Sequence, residues 1–420
     1  MLPLIQFEAI KTVKSTFFKV VLLALTAFII GYYVFVYMNT TRAEDLLAEA
    51  DEWLFMTQSQ LEELEAAAAS GQRDKDSKEY KEEKKMLEEF WLPRYMDEVE
   101  AFKNKDYNRM LEMEIEHRRT TLVQRLAQGD YWSTLWPSLF TDESGSAKLE
   151  WMYEKHIQPV LPISVFADLT LHDKHFDDPQ VGESIKKFSV RYASDGIHFM
   201  EHLTTLLFGV FGAGIFIFLF GDIVTREGLG ENGPIHLLRT QPIRGYQILA
   251  SKFIMVLVGT VLLLASISGL ALLIGTVFDR FGDMDYPVLI YGEDYAFTFM
   301  EMSTFLLKSA ALFFMVLVFC YSLLFLFSLL VKKTAVAIGL MLVTLFAGLK
   351  WSEQSVASTW AHYQPFQYFS VPKVVTNELA LTAGNFAFSF SNGLLVLVVA
   401  SAVVWAVIIA VSMLQYRFAR

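Results

Sequence analysis

The sequence predicts an all-α polytopic membrane protein, six transmembrane helices with an external helical hairpin domain, and three observations carry that expectation. Of the 420 residues, 54% are hydrophobic and only 19% charged, with a mean hydropathy of +0.36. That is an apolar excess and a charge deficit relative to a soluble chain. Six runs are apolar enough to enter a hydrocarbon core about 30 Å thick, which takes about 20 residues of helix to cross. The charge is also segregated: residues 41–200 carry 20 Lys and Arg against 33 Asp and Glu, and the remainder 15 against 13. The net charge of -11 therefore belongs to one insertion, and its sign argues against a nucleic-acid binder, which carries a basic footprint.

The first run, residues 17–38, follows Lys11 and Lys14 and carries Lys19 at its start. It is too long for a signal peptide and lacks a small-residue cleavage site after it, so an uncleaved span is expected. The second covers 202–221, where Gly209, Gly212 and Gly214 offer small surfaces for close helix contact. The others are 253–277, 303–331, 334–349 and 391–413, the fifth being short at 16 residues and needing little tilt or a locally thinned bilayer. Lys308 sits near the outer end of the fourth, where its stem reaches the interface. Cys320, the one cysteine, excludes an internal disulfide and reads as a small packing residue.

Lys and Arg in short flanks assign orientation. Lys11, Lys14 and Lys19, then Arg226, Arg239, Arg244 and Lys252, then Lys332 and Lys333, then Arg417 and Arg420 mark one side, the cytoplasm. The expected organisation is a cytoplasmic N-terminus and first span (1–40), an extracytoplasmic helical domain (41–200), and five further spans (201–420) with a cytoplasmic loop at 222–252 and an external segment at 350–385.

Within the insertion, Leu46, Leu47, Trp53, Leu54, Leu61 and Leu64 recur at helical spacing. The stretch 79–126 repeats the pattern through Met86, Leu87, Phe90, Trp91, Met110, Leu111, Ile115, Leu122 and Leu126. Gly71 and its charged neighbours suit the turn between two long helices, and Pro93 bends or divides the second. The aromatic segments 130–137 and 161–178 are expected to pack on this stalk or lie at the membrane surface. The charged face is either plain solvated exterior or a docking surface for a cationic peptide or external partner. His172, Asp173, His175, Asp177 and Asp178 deserve a metal test, but they lack the helical H-E-x-x-H spacing and read as structural or solvated. Glu201, Asp222 and Glu301 lie at span boundaries without a convergent catalytic pair, so no enzyme chemistry is indicated.

The most informative short segment is the loop at 222–252, a charged turn followed by an amphipathic run and a Pro-containing stop. It carries Glu227, Glu231, Gly233, Ile235, Leu237, Leu238, Gln241, Pro242, Ile243, Arg244 and Lys252. Here the chain resembles the permease subunits of ABC transporters of the ABC-2 type, which commonly show a glutamate and glycine before an I-x-x-L-L-like run, a Q/L-P-I-x-R segment, and a lysine at the next span. The external segment Gln364-Pro365-Phe366-Gln367-Tyr368-Phe369 with Val374-Val375 extends the resemblance. Pro234 stands where the family often has threonine, and the Gly228-Leu229-Gly230 insertion leaves both Glu227 and Glu231 as occupants of the glutamate position. The 41–200 insertion exceeds the compact version of the family.

The resemblance implies a coupling element at Glu227, Glu231, Gly233, Ile235, Leu237, Leu238, Pro242 and Arg244 that meets cytoplasmic ATP-binding subunits, with a second permease subunit, same or homologous, alongside. No G-x-x-x-x-G-K-[ST] segment occurs in the chain. No cofactor is therefore expected on this chain, and ATP and magnesium belong to the partner subunit. The implied function is export of a peptide, a lipid-linked molecule or an amphipathic compound. Membrane lipids and an external peptide or protein are further expected partners; nucleic acid is not. The competing reading is a membrane sensor or assembly protein that binds an external ligand and a cytoplasmic partner without transport.

Overall fold

The computed structural model describes residues 2–127, 137–163, 168–173, 176, 179–221, 223, 245–331 and 333–418. They divide into two compact units: Met1–Phe35 with Ser194–Met284 and Val288–Arg420, and Val36–Ala193 with Asp285–Pro287.

The first unit begins with a short helix, α1 (Leu2–Val13), followed by the first long apolar helix, α2 (Thr16–Asn39). Four more long apolar helices follow, α11 (Gly245–Phe278), α12 (Met302–Val331), α13 (Thr334–Ser355) and α16 (Phe390–Phe418), the last two separated by the short helices α14 (Val371–Val375) and α15 (Glu378–Ala383). The second expected span is instead a bent pair, α9 (Gly196–Leu207) and α10 (Val210–Phe220), meeting at 78°. The fifth, α13, extends six residues beyond its 16-residue apolar run to reach 22 residues. Large apolar side chains on these helices stand exposed, among them Leu23, Leu273, Val343 and Val403. In hydrocarbon an outward apolar face costs nothing, so the core is reserved for helices buried from several sides. Helix α12 is that helix, with Phe313, Val316, Leu317, Cys320 and Tyr321 buried. Phe208 stacks on Phe313 at 4.6 Å, and the Tyr321 hydroxyl is satisfied by Thr260 Oγ1 at 2.8 Å.

Glycines shape the second span, though not as uniformly as expected. Gly209 is extended and interrupts the helix. Gly212 lies so close to the Leu207 carbonyl that no Cβ fits there, while Gly214 has nothing within 4 Å. One close helix contact uses a pair the spacing did not single out: a Cβ on Gly275 of α11 would collide with the backbone of Gly196 at the start of α9. Asp195 caps α9, accepting from the His198 amide at 3.0 Å. The residues between α11 and α12 contain two paired strands, β1 (Pro287–Tyr291) and β2 (Phe297–Glu301). Asp294 and Tyr295 both take positive φ, and Ala296 N–H bonds Glu293 C=O at 2.9 Å, a type I′ turn.

The second unit opens with α3 (Ala43–Ala69), then a turn at Gly71 (φ 76°), then α4 (Lys78–Lys85), capped by Ser77. The expected second arm is not one helix. It runs through a π-helical turn, Met86–Trp91, into α5 (Leu92–Asn104), with Pro93 in the first turn of α5, where its missing N–H costs least. Lys105 then takes a left-handed conformation that ends the arm, and α6 (Tyr107–Ala127) forms separately. Two more helices, α7 (Leu139–Glu154) and α8 (Pro179–Phe188), complete the described part. Leu64, Ala68, Tyr80 and Leu87 close the turn end of the hairpin; Ala50, Ala101, Phe102, Met110 and Leu161 form a second apolar cluster. Trp53, Met86 and Phe90, expected in the core, remain about half exposed.

Buried charge organises the rest of this unit. Arg118 on α6 donates to Glu114 at 2.9 Å and to the Ile163 carbonyl at 3.1 Å and forms an ion pair with Asp168 at 2.8 Å; Arg191 takes the other oxygen of Asp168 at 2.9 Å. Gly145 leaves room for the Arg118 guanidinium, which a Cβ would strike. Burial by itself would raise the Asp168 carboxyl, but Arg191, Lys148 and Arg118 outweigh it and hold the group below the ordinary Asp value.

Two outcomes follow from this packing. Gly275→Ala is expected to destabilise the protein by about 1–3 kcal/mol through overpacking, seen as a lower melting temperature in detergent. Gly214→Ala, gaining about 0.5–1 kcal/mol of helix preference with no clash, is expected to hold or raise it. Asp168→Asn strands Arg118 and Arg191 and is expected to cost about 3–5 kcal/mol at neutral pH. A carboxyl held low contributes stability that is complete above its unfolded value, near 3.8, and is lost as pH falls through the folded value. The gap between wild-type and Asp168→Asn melting temperatures is therefore expected to be flat at neutral and mildly acidic pH and to close only in stronger acid.

Candidate functional site

The loop between α10 and α11 is the element to which the sequence assigns function. Its candidate residues Glu227, Glu231, Gly233, Ile235, Leu237, Leu238, Pro242 and Arg244 lie outside the described residues. The structure does describe the frame that holds the loop's two ends. Lys252, two turns into α11, is buried, and its Nζ donates to Glu8 Oε1 of α1 at 2.8 Å and to the Ile223 carbonyl at the loop entry at 3.0 Å. Glu8 is equally buried and meets Lys11 through its second oxygen at 3.6 Å.

Helix α1 is built to deliver that carboxylate. Glu8, Thr12 and Ser15 recur at helical spacing and are buried, while Phe7, Ile10 and Val13 are exposed. The helix thus turns its polar stripe to the protein and its apolar stripe outward, the inverse of a helix on a water-soluble domain. One ammonium therefore ties three points that are distant in sequence: the N-terminal helix, the loop entry and the loop exit. On the entry side, Gly221 lies against Ile338 of α13, where a Cβ would sit 2.6 Å from the Ile338 side chain.

Lys252 was legible in the sequence as the lysine at the start of a span; Glu8 was not singled out. Its signal was there to be used: Glu8 is the one acidic residue in the first 43, in an apolar segment where an unpaired carboxylate is costly.

The segment 364–369, the other part of the recognised pattern, is buried rather than displayed. Gln367 donates to the Ser352 carbonyl at 2.7 Å, and Tyr368 donates to the His362 carbonyl at 2.7 Å while accepting from Asn392 at 2.9 Å. Phe369, Val374 and Val375 complete a packed cap over α12, α13 and α16 that also touches the break at Gly209, through the Phe369 carbonyl.

The histidine and aspartate cluster divides. Asp173 is consumed as an acceptor for Ser138 N at 2.8 Å, Thr141 Oγ1 at 2.6 Å and Thr170 N at 2.8 Å; His172 packs on Phe140 at 4.3 Å. His175, Asp177 and Asp178 lie outside the described residues. Among the described residues, no three His, Cys, Asp or Glu side chains converge as a metal set.

Five long apolar helices and a bent sixth, with a large helical domain between the first two, define a multi-spanning helical membrane protein. The family described as ABC-2 family transporter protein matches residues 2–420, and the chain belongs to that family. Its members are non-catalytic permease components of ABC transport systems, typically paired with ATP-binding cassette subunits and a second permease chain. No curated protein and no solved structure matches the chain.

The buried pair has a testable energetic signature. Glu8→Leu or Lys252→Met alone leaves an uncompensated buried charge and is expected to cost about 3–5 kcal/mol, whereas the double variant is expected to recover most of that loss. A double-mutant cycle on melting temperature measures the coupling.

Proposed function

We propose that this chain is the permease subunit of an ATP-driven exporter. It forms the translocation path beside a second permease subunit, the same chain or a homologous one, and couples to cytoplasmic ATP-binding subunits. Family membership over residues 2–420 is the observation that carries the reading. ATP and magnesium act in the partner subunit. Lys and Arg in the short flanks support a cell-membrane protein with cytoplasmic N- and C-termini, the 222–252 loop on the same side, and the 41–200 and 350–385 segments outside.

In this reading Glu227 or Glu231, with Gly233, Ile235, Leu237, Leu238, Pro242 and Arg244, meets the ATP-binding subunit. Nucleotide-driven closure displaces the loop, and the Glu8–Lys252–Ile223 node supports passing that displacement to α1 and α11 instead of dissipating it. The chain contributes binding free energy that differs between two states, and only that difference shifts the equilibrium. The bent α9–α10 pair supplies an adjustable element, since Gly209 breaks the helix between two apolar halves. The cargo class is a peptide, a lipid-linked molecule or an amphipathic compound, because a membrane route tolerates few bare charges.

The test is reconstitution with the co-purifying ATPase. Glu227→Lys and Glu231→Lys are each made, with the exposed hairpin variants Glu62→Lys and Glu63→Lys as controls. Reversal at one of the loop positions is expected to lower assembly or cargo-stimulated ATP turnover at least several-fold, and the hairpin reversals are expected to leave both unchanged. Equal effects at loop and hairpin would overturn the placement of the coupling element, and the absence of any ATPase partner would overturn the permease reading.

A further inference from the structure

The inserted unit contains a cavity of about 500 Å³ between α3, α5 and α6, within the range of sites that hold small organic ligands. One wall is aromatic. Trp53 and Trp91 both lie nearly parallel to Tyr95, at 6.4 Å and 14° and at 5.8 Å and 17°, so three rings from two helical arms form one flat stack. Aromatic faces carry the negative part of the ring quadrupole and attract cations.

The charged groups at this cavity do not balance among themselves. Glu114 is committed to Arg118 at 2.9 Å. Arg94 donates to His117 Nδ1 at 2.9 Å, which requires that nitrogen to be unprotonated. Consistent with that, burial, Arg94 and Arg118 all push the His117 pKa down. Glu49 and Glu98 remain, and among the described residues neither has an ion pair or side-chain hydrogen bond. The partly buried Glu98 has its carboxyl raised by burial, with Arg94 opposing and Glu49 adding to the rise. Two uncommitted carboxylates thus face one guanidinium already occupied by a histidine.

An anion entering here would meet both carboxylates and the ring faces, and a purely apolar molecule would strip water from Glu98 without replacing it. A ligand with a positive head and an apolar body answers both demands. The surplus of acidic residues over 41–200 draws the same sign of ligand toward the domain.

We propose that this cavity is a binding site for a small organic cation, an ammonium-bearing molecule with an aromatic or aliphatic body, held by Glu98 and Glu49 at its head and by Trp53, Tyr95 and Trp91 along its body. The site is independent of the coupling loop and does not rest on the permease reading. Its occupant is a molecule the domain senses or receives.

The test uses the full-length protein in non-ionic detergent, titrated by calorimetry with phenylethylammonium and, separately, with phenylacetate, which has a similar body and the opposite charge. Saturable binding of phenylethylammonium, at least tenfold tighter than phenylacetate, is expected. Glu98→Gln and Trp53→Ala are each expected to weaken it at least tenfold with little change in melting temperature. Glu49→Gln, on an exposed position, is expected to weaken it several-fold and serves if Glu98→Gln fails to fold. A Glu62→Gln, Glu63→Gln double variant is expected to bind like wild type. Absence of saturable binding, equal binding of the anion, or wild-type affinity in both Glu98→Gln and Glu49→Gln would overturn the proposal. ATPase coupling measured on the same preparation separates the two readings: intact coupling without cation binding overturns only this one, and cation binding without an ATPase partner overturns only the other.

Discussion

A peptide group placed in hydrocarbon finds no water, and every N–H and C=O there must be bonded within the chain. The membrane unit follows from that constraint. Its spanning segments are helices, and the one that breaks does so where the broken ends are still satisfied. At the Phe208–Gly209 break, Phe208 N–H still bonds the Thr204 carbonyl, Gly209 N–H bonds the Leu207 carbonyl, and the Gly209 carbonyl accepts from Ala213. The same constraint inverts the usual burial rule. Leucines and valines face outward at no cost, and the most enclosed helix, α12, is distinguished by Tyr321, Cys320 and Phe313 fitting among neighbours.

Charge is the second determinant, and both units treat it alike. Glu8 and Lys252 in one, and Arg118, Asp168 and Arg191 in the other, are buried or nearly so and are joined across long sequence separations. Such groups are weak sources of stability compared with apolar replacements, but each is costly to break one partner at a time. Their consequence is therefore positional. Lys252 holds Ile223 and the start of α11 to the N-terminal helix, and Asp168 links Arg118 of α6 to Arg191 on the stretch leading out of the insertion.

In the inserted unit, the hairpin arms pack through small residues, Ala43, Ala50, Ala68 and Ala101, as much as through leucine. Small residues at the seam bring the arms together while Trp53, Trp91 and Tyr95 gather along one side. Large apolar side chains that helical periodicity assigns to a core consequently divide between core and cavity wall. Leu64, Leu87, Met110, Leu111 and Ile115 are buried, and Trp53 is not.

Hydropathy, run length and charge asymmetry by themselves determined that this chain crosses a membrane several times and carries an acidic helical insertion after its first span. Those properties are local sums, legible because helix length against bilayer thickness and charge against solvation need no partner to evaluate. Only the tertiary structure decided that the second span bends at Gly209, that Gly196 and Gly275 bring two helices into close contact, and that the stretch after α11 pairs as strands. It alone joined Glu8 to Lys252 and placed Glu49 and Glu98 beside an aromatic stack. Each of these depends on which residue a side chain meets from a distant part of the chain, and periodicity along one helix carries no information about that meeting.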